Sequence, residues 1–85
     1  MTEERVKWIL DLIKKYPLHN YGEAVGGSAD PWGGSIVWGY DITYNPETDI
    51  YHWEDYSEVE GCKFDFVPFQ LTETEVIEKL RKINK

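Results

Sequence analysis

The feature of this chain that most restricts its fold is a strict alternation from Ile36 to Tyr44. Ile36, Trp38, Tyr40, Ile42 and Tyr44 hold one set of positions, and Val37, Gly39, Asp41 and Thr43 hold the other. A period of two belongs to a β-strand with one apolar face. The residues that follow, Asn45-Pro46-Glu47-Thr48-Asp49, are turn chemistry, because proline fixes φ and an aspartate tolerates a left-handed backbone. Ile50 to Tyr56 then returns as a second strand. A four-residue loop, Pro46–Asp49, sets the register. Tyr44 faces Tyr51, Ile42 faces Trp53 and Tyr40 faces Asp55, while Thr43 meets His52 and Asp41 meets Glu54 on the other face. A slip of one residue exchanges the two faces.

The flanks supply the elements that such a hairpin needs for cover. Val6, Ile9, Leu10, Ile13 and Tyr16 recur at helical spacing, so a helix is expected over residues 3–16, capped by Thr2 and stopped by Pro17. Trp8 and Leu12 widen its apolar surface beyond one contact stripe. Residues 18–35 are rich in glycine and read as a long loop. Cys62 to Val67 alternates again and is expected to form a third strand with Phe64 and Phe66 inward. Thr72 and Glu75 fit a capping box, with Leu71 and Val76 as its staple, ahead of a stripe of Val76, Ile77, Leu80 and Ile83. The expected fold is therefore one α+β domain over residues 1–85. Its three-stranded antiparallel sheet is flanked by N- and C-terminal helices (α-β-β-β-α), with both helices on one sheet face.

Composition bounds the setting. A chain of 85 residues has a small core, and its 4 Trp, 6 Tyr and 3 Phe supply much apolar area per residue. The lone Cys62 excludes an internal disulfide and reads as a buried thiol. The acidic, amphipathic N-terminus is unlike a signal peptide, and no apolar run is long enough to span a membrane. A soluble, cytoplasmic protein is expected.

Charge carries more information once it is located. The net charge is −7, and every Lys and Arg lies in residues 1–15 or 63–85. Residues 16–62 hold no Lys or Arg against Glu23, Asp30, Asp41, Glu47, Asp49, Glu54, Asp55, Glu58 and Glu60. Such a segment repels phosphates, so direct nucleic-acid binding is disfavoured and a basic partner is favoured.

The carboxylates Asp41 and Glu54 oppose each other across the hairpin, a mildly destabilising arrangement that a basic partner or cation offsets. A solvated face is the commoner meaning of such a pair, and catalysis the rarest, since acid–base work by paired carboxylates needs burial. His19 and His52 lack metal-ligand spacing, and no nucleophile elbow or phosphate loop occurs, so no metal, cofactor or catalytic residue is expected. Trp32 and Tyr21 in the glycine-rich segment are the aromatics expected at the surface, where they serve as partner anchors.

The expected partner surface comprises Asp41, Glu47, Asp49, Glu54, Glu58, Glu60, Trp32 and Tyr21. Same-face positions along a strand recur close to the phosphate spacing of one nucleic-acid strand. The leading expectation is thus a small acidic, non-catalytic inhibitor, monomeric or homodimeric. It mimics DNA and docks on the basic surface of a nucleic-acid-binding protein or nuclease, in the manner of anti-CRISPR and nuclease-immunity proteins. That analogy is one of size and charge alone. Two alternatives remain open: a small-molecule or carbohydrate binder using Trp32, Tyr21 and His19, and a homo-oligomeric assembly subunit with a seam at Trp8 and Leu12.

Overall fold

A computed structural model of the chain describes residues 1–29 and 34–83. Its elements are α1 (Glu3–Lys15), β1 (Tyr21–Ala29), β2 (Ser35–Asn45), β3 (Ile50–Val59), β4 (Cys62–Leu71) and α2 (Glu73–Lys82). The strands form one antiparallel sheet in the order β1-β2-β3-β4, so the topology is α-β-β-β-β-α.

The expectation of three strands is corrected by β1, which lies in the glycine-rich segment read as a loop. Glycine hides a strand signal, and an irregularity between Ala24 and Gly26 breaks the alternation that would have restored it. Here glycine serves close approach. A Cβ on Gly26 would sit 2.6 Å from the Trp38 indole nitrogen. A Cβ on Gly39 would sit 2.4 Å from the Glu23 carbonyl oxygen and 2.7 Å from the Tyr56 hydroxyl. Both glycines make room for aromatic rings that lie across neighbouring strands.

The hairpin of β2 and β3 has the register that its loop length dictates, with Tyr44 opposite Tyr51, Ile42 opposite Trp53 and Asp41 opposite Glu54. Asp49 takes the left-handed conformation at φ 58°, and its N–H donates to the Asn45 carbonyl at 2.9 Å. The β3–β4 turn is Glu60-Gly61, with φ of 51° and 81°. Two consecutive positive φ values are what a type I′ hairpin turn requires, and Glu-Gly supplies the glycine it favours.

Thr2 caps α1 by accepting the Arg5 N–H at 3.2 Å. Thr72 and Glu75 form the capping box of α2. Val6, Ile9, Leu10 and Ile13 from α1, with Val76 and Leu80 from α2, join Tyr40, Ile42, Tyr51, Trp53 and Leu71 in one buried cluster. The sheet members of that cluster share one face, so both helices cover the same side. Within it Tyr40 stacks on Trp53 with centroids 4.7 Å apart. The Tyr40 hydroxyl donates to Glu23 Oε2 at 2.8 Å, and Glu23 also pairs with Arg5. Burial first, and then the bond to Glu23, hold that phenol protonated far above its ordinary range.

β4 departs from expectation in three ways. It continues through Leu71, past the expected end at Val67. Its pairing with β3 is irregular between Asp55 and Ser57, where Val67 and Phe64 are the partners and Asp65 has φ 54°. That bulge breaks the alternation, and Phe64 and Phe66, expected inward, are 37% and 49% exposed. Cys62, expected as a buried thiol, is exposed beside the turn.

Length mismatch explains the rest of the shape. Strands of 10 and 11 residues in β3 and β2 reach about 33–36 Å, whereas the 13 residues of α1 reach about 20 Å. The sheet therefore projects beyond its helices in a molecule 46 Å long.

Candidate partner-binding surface

Two surfaces of the sheet lie outside the helical layer. The first is the helix-free face, where alternation places Asp41 and Thr43 of β2, His52, Glu54, Tyr56 and Glu58 of β3, and Lys63 and Gln70 of β4. The Asp41–Glu54 opposition is real, and local groups relieve it. Lys63 Nζ lies 3.3 Å from Asp41 Oδ2, and His52 Nε2 lies 3.2 Å from Glu54 Oε2. Gln70 Nε2 sits 2.7 Å from His52 Nδ1, so Gln70, His52 and Glu54 form one chain of polar contacts.

Tyr56 occupies the position between Glu54 and Glu58. Its ring packs against Gly39 and beneath the Lys63 ammonium, 4.3 Å from the ring centroid. Burial raises the pKa of its hydroxyl, and Lys63 opposes that shift. Glu54 and Glu58 consequently stand two same-face steps apart, about 13–14 Å. The single-step carboxylate pitch expected of a phosphate mimic is not what β3 presents.

The remaining expected residues are spread along the hairpin. Glu47 and Asp49 sit at the β2–β3 turn, where Asp49 Oδ1 accepts the Tyr44 hydroxyl at 2.7 Å. Glu58 and Glu60 lie at the opposite end, by the β3–β4 turn. Tyr21 is on β1, half-buried under the edge of Trp8. Trp32 lies outside the described residues.

The second surface was not foreseen. On the helix side, past the helix ends, Trp38 faces Ser57 and Ser57 faces Phe64, with Gly26 beyond Trp38. Two large aromatics thus flank Ser57 in one row. Val59 lies one step further along β3, and Val67 lies beside Asp55. Trp38, Val59, Phe64 and Val67 are all exposed. The apolar face of the sheet simply continues where the helical layer stops. Asp55 shares this face, Glu60 and Asp65 lie at the β3–β4 turn and the bulge, and the nearby cations are Lys63, held by Asp41, and Lys79 and Lys82 of α2, which line a cleft with Asp55. The signal was present in the alternation of Ile36 and Trp38, which lies beyond the reach of a 13-residue helix.

Cys62 and the two histidines stand apart in the fold, and among the described residues no group of three or more His, Cys, Asp or Glu converges to hold a metal ion. No described helix is long and apolar enough to cross a membrane. Comparison with family models, with curated proteins and with solved structures returned no match.

Proposed function

We propose that the chain is a small acidic, non-catalytic binding protein that inhibits a nucleic-acid-handling protein by occupying its basic surface. The observation that carries this reading is the uncovered apolar end of the sheet, with Glu60 and Asp65 beside it and Lys63 already engaged by Asp41. Apolar side chains at the centre supply affinity, and the acidic rim supplies attraction and partner choice. The extended helix-free face with Glu54 and Glu58 continues the same negative field. Docking through side chains is favoured over strand addition at β4. The Asp65 bulge and Pro68, which has no N–H to offer, blunt that edge.

A competition experiment tests the proposal. A basic nucleic-acid-binding protein recovered with the chain from its native extract is loaded with labelled duplex, and the chain is added at low and at high salt. Displacement of the duplex is expected at low salt and is lost at high salt. It is lost as well in the combined variant Glu58→Lys, Glu60→Lys and Asp65→Lys. Retention of the partner by that triple variant at every salt concentration contradicts the proposal.

A further inference from the structure

The outer side of α1 carries an unpartnered surface of a different kind. Trp8, Leu12 and Tyr16 follow one another at four-residue steps, so they form one stripe beside the buried one. Trp8 and Tyr16 are 52% and 51% exposed. Leu18, more exposed still, is held beyond the helix by its N–H bond to the Tyr44 carbonyl at 3.0 Å. Next to the stripe runs an apolar cleft of about 310 Å³, lined by Leu12, Ile13, Tyr16, His19, Asn20 and Tyr21.

We infer that this surface pairs with a second copy of itself, as an antiparallel α1–α1 seam about a twofold axis at Leu12. Knob and cleft lie on the same surface at matching distances. Trp8 precedes Tyr16 by eight residues, about 12 Å along the helix, with Leu12 midway. A twofold axis at Leu12 exchanges those two levels. Each indole then faces the other copy's cleft, and the two Leu12 side chains meet on the axis. The knob is already ordered. Trp8 rests edge-on against Tyr21, with centroids 6.1 Å apart, and the Arg5 guanidinium stands 5.8 Å from its ring. An ordered aromatic anchor loses little entropy on burial.

Charge selects the occupant. Glu3 is taken by Arg81, Arg5 by Glu23 and Lys14 by Glu73, and Lys7 lines the groove toward α2, which leaves Glu4, Asp11 and Lys15 around the stripe, of mixed sign. In the antiparallel seam Asp11 comes within a turn of the other copy's Lys15, and the helix dipoles oppose. A membrane surface, the other common cover for an apolar helix face, wants predominantly basic flanks. Two copies meeting at the acidic end of the sheet would repel each other, so self-association belongs to α1 and not to that end.

Sedimentation velocity of the full chain over a range of roughly 1–500 μM gives the test. The wild-type coefficient rises to that of a dimer, and Leu12→Glu remains monomeric throughout with an unchanged circular dichroism spectrum. Trp8→Ala weakens association at least tenfold. Asp11→Lys weakens it as well, and adding Lys15→Glu to that variant restores it. Should Leu12→Glu fail to fold, this charge exchange still decides the matter. A wild-type monomer at the highest concentration, or a dimer indifferent to Leu12→Glu and to the charge exchange, overturns the inference.

Discussion

At the scale of single residues, two close contacts fix the centre of the molecule. The Tyr40 hydroxyl joins Glu23, itself bonded to Arg5, beneath α1. Tyr40→Phe leaves the stack on Trp53 intact and removes one bond to a carboxylate, so urea denaturation should show a loss of about 1–2 kcal/mol with an unchanged m value. The same phenol has its folded pKa raised above the unfolded value, chiefly by burial. Its contribution is complete below about pH 10, the unfolded value, and declines as pH rises beyond it. The stability gap between wild type and Tyr40→Phe should therefore narrow above that pH, and a gap that widens contradicts the assignment. Gly39 is the second contact. Its methyl substituent meets the Glu23 backbone, which cannot rotate aside, so Gly39→Ala should cost about 1–3 kcal/mol. Neither role was legible in the sequence. Gly39 read as one more member of the alternating outer set, and Glu23 as one more acid in a loop, because both depend on a neighbour, β1, that glycine concealed.

At the scale of elements, what was legible was what is written locally. The register of β2 with β3 follows from loop length, and the start of α2 follows from Thr72 and Glu75, side chains that bond within their own turn. The capping box carries a pH signature. The Thr72 backbone N–H, and then its side chain, hold the Glu75 pKa below the ordinary carboxylate value. Its stabilising effect is present above about pH 4.3, the unfolded value, and is lost as pH falls through the lower folded one. Glu75→Gln keeps the acceptor and loses the charge. Thermal melts should show it less stable than wild type at neutral pH, with the difference vanishing in acid. β4 was legible only in part: the bulge at Asp65 takes Phe66 out of the alternation, while Phe64 keeps the helix side but lies past the end of the helical layer. Phe64→Ser consequently should change stability by no more than about 0.5 kcal/mol, the range of surface substitutions. A loss of about 3 kcal/mol or more, as in a core truncation, would show that Phe64 is covered.

At the scale of the whole molecule, helices too short for their sheet create the candidate site. The negative net charge was visible in composition, and so was its concentration between residues 16 and 62. Its disposition was not, because Lys63 folds back on Asp41 and Tyr56 interrupts the carboxylates of β3. The acids therefore form no regular ladder, and an exposed apolar end lies beside Glu60 and Asp65. The most direct test is a nuclear magnetic resonance titration of the labelled chain with a basic protein of the kind proposed, following the indole and aromatic signals. Trp38 and Phe64 should shift with the amides of Val59 and Val67, while buried Trp53 holds its position. Shifts confined to Trp8, Tyr21 and α1, with Trp38 and Phe64 unmoved, would show that the uncovered end of the sheet is not where this protein binds.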